Sequence, residues 1–218
     1  MIGEFCVIGL GRFGWSLATA LARSGQSVLA VDRNPETVQA IAPEIDASVC
    51  CDTTDEAALG ELHLERTTST IVAIGAEAKE ASILTTALLR QAGVPRIVGR
   101  AVSDLHARVL LAVGAHEVVN PEKEMGARVA RRLARPSILE QVPLGDDADL
   151  AEVEVPEAFV GKTLVDLDVR RRFDVSVVAV RRGGRVISNV LGLGPLESGD
   201  VLVVIGAPAA VGRLGALA

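Results

Sequence analysis

The chain has 218 residues, 49% hydrophobic and 23% charged, with a formal net charge of −6. That length suits one large domain or a medium domain with a small one, and the acidic balance excludes the basic surface that general nucleic-acid binding needs to neutralise phosphates. Four Phe, one Trp and no Tyr leave the core to Val, Leu, Ile and Ala, residues that suit buried parallel strands.

Phe5-Cys6-Val7-Ile8 reads as a strand, and Cys6 within it as a small core residue. The following Gly9-Leu10-Gly11-Arg12-Phe13-Gly14 is a G-x-G-x-x-G turn that opens a helix running to about Arg23. Val28 to Val31 is the second strand, ending at Asp32. A strand, a glycine turn, a helix and an acid about 20 residues on together predict a dinucleotide-type site. Gly9 allows the tight turn, Gly11 admits phosphate to the backbone and Gly14 lets helix and strand approach. The helix N-terminus offers free N–H groups to phosphate oxygens. Asp32 suits ribose hydroxyls and repels a 2′-phosphate, which disfavours NADP even though Arg33 follows. Arg12, beside the turn, is expected to point outward, within reach of a terminal phosphate, that of a neighbouring subunit's ligand included; the alternative is a solvated surface arginine.

Asn34 caps the next helix with Pro35 at its first position. Strands follow at Ala47 to Cys50, Thr70 to Ile74, Arg96 to Val98 and Glu117 to Val119, with helices around 55–62, 77–92 and 104–113 and a last one from Pro121 to about Ala134. Such βα alternation predicts a doubly wound parallel sheet. Its pocket lies outside the carboxyl ends of the strands, so Cys51-Asp52-Thr53 and Ile74-Gly75-Ala76 should line it, with Asp52 either meeting adenine or capping a helix. Adjacent Cys50 and Cys51 suit neither a zinc site nor a redox dithiol motif. Arg128, Arg131, Arg132 and Arg135 share one helix face, either solvated or set against acidic groups of a neighbouring subunit.

The pattern changes near Arg135-Pro136. Asp146-Asp147-Ala148-Asp149 reads as an acidic loop, followed by strands at Glu152 to Val155, Val175 to Val180, Arg185 to Ser188 and Val201 to Ile205. Gly183-Gly184 marks a hairpin. The division falls at 139/140, giving a nucleotide-binding domain over 1–139 and a small α+β domain over 140–218. No apolar run reaches bilayer length and no signal-peptide pattern opens the chain, so a cytoplasmic protein that meets a membrane only by docking is expected. His63, His106 and His116 lack metal spacing and read as surface or helix-end residues. No nucleophile or zinc-protease motif occurs, so no enzymatic chemistry is expected; a small NAD-dependent oxidoreductase is the rival reading.

These features together resemble the KtrA/TrkA family of cytosolic RCK (regulating conductance of potassium) subunits. The resemblance rests on Phe5 to Gly14, Val31-Asp32, Val72-Ala73-Ile74-Gly75, Arg100-Ala101 and Asn120-Pro121-Glu122-Lys123-Glu124-Met125-Gly126, and covers nearly the whole chain. It implies a Rossmann-like N-terminal domain, an RCK_C (TrkA-C) domain, and protomers paired through the helix after Asn120 into an octameric ring docked on a membrane potassium-translocating subunit. It implies ATP as the activating and ADP as the inactivating ligand, NAD(H) being the alternative seen in TrkA-like relatives. Arg12 would then meet the γ-phosphate of a neighbour's ATP, Arg100 would serve the pocket, and Glu122 would help hold Mg²⁺ or another cation beside the phosphates, unless it is simply an acid at a helix start. Leu164, Val165 and Arg170 lie in a segment similar to one that binds cyclic di-AMP in some relatives. The chain departs from that pattern at Ser188-Asn189, where the family has a proline after the serine.

Overall fold

In the computed structural model, which describes residues 4–218, aliphatic runs alternate with helices. The order is β1 (Phe5–Ile8), α1 (Arg12–Arg23), β2 (Val28–Asp32), α2 (Pro35–Ile41), β3 (Ala47–Cys50), α3 (Glu56–Gly60), β4 (Ser69–Val72), α4 (Lys79–Gln91), β5 (Ile97–Arg100), α5 (Asp104–Ala112) and β6 (Glu117–Val119). All six strands pair in parallel, in the order β3-β2-β1-β4-β5-β6. The order reverses between β1 and β4, which opens a crevice at the carboxyl ends of those strands.

The central strands β1 and β2 are buried between the two faces, so they are apolar almost throughout. Cys6 and Ile8 point to one side with Leu29, Val31 and Val72; Val7 points to the other with Val28, Ala30 and Ile71. Cys6 is fully buried as expected, and burial pushes its thiol pKa far up. Helix starts follow their capping residues. Asn34 accepts from the Glu36 N–H at 2.9 Å with Pro35 in first place, and Ser103 accepts from the His106 N–H at 3.2 Å.

Under α4 runs a buried polar seam. Ser82, Thr85 and Thr86 are all completely buried, which is tolerable only because each is hydrogen-bonded. Ser82 Oγ meets His106 Nε2 at 3.0 Å, Thr85 Oγ1 meets Thr53 Oγ1 at 2.8 Å, and Thr86 Oγ1 donates to the Ser82 carbonyl at 2.7 Å. His106 stands in the first turn of α5, a helix end as expected, but it is buried and not at the surface. Its Nδ1 accepts the Val102 N–H at 3.4 Å; a backbone N–H can only donate, so the ring proton sits on Nε2 and points at Ser82.

The helix α6 (Pro121–Ala134) carries the chain from a first compact unit, ending at Glu124, into a second, Met125–Ala218. There follow β7 (Ile138–Pro143), β8 (Asp149–Glu154), α7 (Leu164–Leu167), α8 (Val169–Phe173), β9 (Val175–Arg182), β10 (Arg185–Ile187), β11 (Val201–Gly206) and α9 (Pro208–Gly215). The strands form an antiparallel sheet ordered β10-β9-β11-β8-β7 over a core that includes Val153, Leu167, Val180, Leu202 and Leu214. Gly183 and Gly184, at φ +55° and +81°, make the expected two-residue hairpin turn between β9 and β10. The acidic stretch at 146–149 needs correction: Asp149 starts β8, is buried, and accepts a hydrogen bond from Gln141 on β7. Asp200 is also buried, and Arg182 compensates it through two hydrogen bonds of 2.8 and 2.7 Å.

Burial, and to a lesser degree Lys79, holds His106 below its ordinary pKa. The folded chain therefore keeps the ring neutral while the unfolded chain takes up a proton near pH 6.5. Stability from this site is fully present above pH 6.5 and is lost as the pH falls from that value through the lower pKa of the folded state. Urea unfolding at pH 7.5 and 5.5 should show the decline, and His106→Gln should reduce the slope.

Candidate nucleotide site

The turn between β1 and α1 is built from three glycines with different duties. Gly9 has φ +91°, and a Cβ there would lie 3.0 Å from the Ile74 nitrogen and 3.1 Å from the Ala73 carbonyl carbon. A Cβ at Gly14 would lie 1.9 Å from the Gly9 carbonyl oxygen, an overlap no adjustment of rotamers relieves. These two let α1 settle onto the ends of β1 and β4. Gly11 differs: a Cβ there would meet nothing within 4 Å. It precedes α1 without a side-chain cap, and the first helical bond runs from the Trp15 N–H to the Gly11 carbonyl at 2.8 Å. The N–H groups of the opening turn thus face an uncluttered backbone, the arrangement that admits an anion.

Asp32 ends β2 beside this turn. Its Oδ2 accepts the Leu10 N–H at 2.6 Å and its Oδ1 accepts the Asn34 N–H at 2.9 Å. The carboxylate therefore ties the glycine turn to the start of α2, and each oxygen keeps a second lone pair for an incoming hydroxyl. Arg12 and Arg33 are exposed, and neither takes part in an ion pair among the described residues. Ala76 is exposed and Ile74 half-buried at the end of β4.

Asp52 Oδ1 accepts from the Thr54 N–H at 3.0 Å and the Thr54 hydroxyl at 2.7 Å, which hold its carboxyl below the usual range. The cap of α3 is Asp55, which accepts from Ala57 and Ala58, so Asp52 shapes the loop and does not cap the helix. An aspartate directly ahead of the helical pattern was the available signal. Thr53 is buried with its hydroxyl on Thr85. It anchors the loop to α4, a pairing across 32 residues that only the fold reveals.

Arg100, at the end of β5, gathers several expected residues around one guanidinium. Its Nη2 is ion-paired with Glu122 Oε1. Its Cζ stands 5.8 Å from the centroid of the Phe13 ring, within cation–π range. A Cβ on Gly75 would lie 3.8 Å from its Nη1. The side chain is 14% exposed, and Nε is buried without a hydrogen-bond partner. Glu122, in the first turn of α6, is held below the usual carboxylate range by its own backbone N–H and, after that, by Arg100, against the opposing effect of burial. Among the described residues no cluster of three or more His, Cys, Asp or Glu is placed to hold a metal; a cation at Glu122 would need oxygens from a ligand or a second protomer.

The second expected site lies in the other unit. Leu164 packs partly into its core, Val165 is 71% exposed and Arg170 is exposed on α8. Thr163 and Asp166 form a reciprocal capping box that fixes the start of α7.

The TrkA-N domain model matches residues 5–121 and the TrkA-C domain model residues 150–218. The chain belongs to the TrkA-N/TrkA-C family. It is 38% identical over 210 residues to Ktr system potassium uptake protein C of Bacillus subtilis (strain 168), covering 96% of this chain and 95% of that protein. To Ktr system potassium uptake protein A of Vibrio alginolyticus it is 37% identical over 203 residues, covering 93% and 92%. The whole chain superposes on the GsuK channel with a TM-score of 0.72 at 19% identity, a likeness of fold. This chain spans only 39% of that one. The chain is also similar to the NAD(P)-binding domain of an exopolyphosphatase-related protein from Archaeoglobus fulgidus, with a TM-score of 0.54 at 26% identity over 61% of this chain and 98% of that domain. No helix among the described residues is long and apolar enough to cross a membrane.

The glycines of this turn should separate in their response to one methyl group. Gly14→Ala should destabilise the first unit by about 1–3 kcal/mol, the usual range for overpacking. Gly11→Ala should cost less, about 0.5–1 kcal/mol, the gap between glycine and alanine at a helix N-cap, because a Cβ there meets nothing. Urea unfolding of the two variants beside the unsubstituted chain measures both.

Proposed function

We propose that the chain is a nucleotide-sensing regulatory subunit that gates a potassium-translocating membrane protein, with ATP and ADP as opposing ligands. The observation that carries this reading is the full-length likeness to Ktr potassium uptake proteins, joined to a glycine turn shaped to admit phosphate.

The residues fit a nucleotide. The open backbone at Gly11 and the uncapped start of α1 suit phosphate oxygens. The buried, unpartnered Nε of Arg100 is a donor waiting for an acceptor. Asp32 keeps lone pairs for ribose hydroxyls, and the Asp52 loop borders the adenine end. In this reading Phe13, Ile74, Gly75 and Ala76 wall the phosphate side, Arg33 flanks the ribose, and Thr53 fixes the loop from within. Arg12, exposed beside the turn, reaches the terminal phosphate of a neighbouring protomer's ligand. Glu122 shares Mg²⁺ or a similar cation with those phosphates, since carboxylate and phosphate oxygens are the ligands such ions prefer.

Gating then follows from differential affinity. Two nucleotides that fill the same cleft but contact Arg12 differently favour different arrangements of a dimer-based, octameric ring, which acts on the membrane subunit from its cytoplasmic face. Cyclic di-AMP is a further ligand in this reading, with Leu164 and Val165 against a base and Arg170 on phosphate. The division of labour is a nucleotide domain over 1–139 and a ligand-binding, dimerising domain over 140–218.

A second reading, NAD(H) as the sensed ligand, is favoured by the likeness to the A. fulgidus NAD(P)-binding domain; Asp32 disfavours the 2′-phosphate of NADP. Calorimetric titration of nucleotide-stripped protein decides between them. Tight binding of ATP and ADP, with ATP strengthened by Mg²⁺, is the expected result; NADH preferred over ATP would establish the second reading. Arg12→Ala should retain binding and lose about tenfold or more of the ATP-over-ADP preference, the scale of one hydrogen bond to a charged group. An unchanged preference would remove Arg12 from the mechanism.

A further inference from the structure

The Arg100 side chain is 14% exposed, and its donors are only partly used. A guanidinium carries five N–H bonds in a fixed fork. Here Nη2 serves Glu122, the flat face lies near Phe13, and Nε is enclosed with nothing to bond. An orphaned N–H costs free energy unless a ligand completes it. The positions of Phe13 and Gly75 put the fork beside the glycine turn and the end of β4, where the crevice lies.

Glu122 is a loosely held partner. Its side chain is 61% exposed while that of Arg100 is 14% exposed. The turn that carries it is fixed independently. Asn120 Oδ1 accepts the Lys123 N–H at 3.0 Å, Glu124 Oε1 accepts the Asn120 N–H at 3.2 Å, and Lys123 Nζ reaches Asp104 at 2.7 Å. The start of α6 therefore persists if the Glu122 carboxylate swings away.

We propose that Arg100 is a shared donor: Glu122 holds it in the nucleotide-free chain, and the phosphate group of a bound nucleotide takes it over, so that binding and the Arg100–Glu122 pair compete. This rests on the nucleotide-sensing reading and adds a consequence to it. Taking the guanidinium frees the Glu122 carboxylate at the moment a cation-bearing phosphate arrives. Occupancy of the cleft is thereby written into the pairing of the carboxylate in the first turn of α6.

The test is a double-mutant cycle on ADP affinity, measured by calorimetry with EDTA present so that no divalent cation contributes. Circular dichroism checks that Glu122→Gln, Arg100→Gln and the double variant are folded. Glu122→Gln should tighten ADP binding by about two- to fivefold, the range for an ion pair with one exposed member, and the gain should vanish in the Arg100→Gln background. Unchanged or weaker binding by Glu122→Gln would overturn the exchange while leaving nucleotide sensing intact. A gain that persists without Arg100 would also overturn it, because removal of a nearby negative charge would then suffice. Failure of the unsubstituted chain to bind any adenine nucleotide would instead remove the nucleotide-sensing reading, and the exchange with it.

Discussion

The contact between α1 and the ends of β1 and β4 organises the nucleotide unit. With 1.9 Å between the Gly9 carbonyl oxygen and the place a Gly14 Cβ would occupy, the helix seats only if residue 14 has no side chain. Seating it aims the first turn of α1 along the crevice where the strand order reverses, and brings Phe13 beside Arg100. Asp32 then closes the arrangement by accepting the Leu10 N–H. One steric condition thus sets the glycine turn, the acid beside it and the Arg100 guanidinium near Phe13.

Much of the nucleotide unit is legible in sequence because its signals are local. Phe5 to Ile8 and Ala47 to Cys50 are short apolar runs bounded by turn residues, and β1 and β3 begin and end where those runs do. Asn34-Pro35 announces α2, and its cap is present. The second unit gives weaker signals. β7 escapes sequence reading because Ile138-Leu139-Glu140-Gln141-Val142-Pro143 breaks strict alternation, and its pairing with β8 shifts register between Ile138 and Glu140. Asp149 looks like one more loop acid until that pairing supplies Gln141.

The candidate site divides in the same way. Glycines, Asp32 and the loop positions follow from spacing, since each lies at a strand end. The Arg100–Glu122 pair spans 22 residues and exists because β5 and β6 are neighbours, which puts the start of α6 next to the end of β5. Thr53 and Thr85 meet across 32 residues where the loop after β3 reaches α4. No periodicity encodes such partners; the packing of distant elements does.

Aromatic poverty carries an optical consequence. The chain holds one tryptophan and no tyrosine, and that tryptophan is Trp15, whose N–H closes the first helical bond onto Gly11. Its indole is half-buried at the edge of the core beneath α1. Intrinsic emission from the molecule therefore originates one helical turn from the glycine loop, with no second indole or phenol to dilute it. Shifts in its wavelength or lifetime record events at that turn without any attached dye.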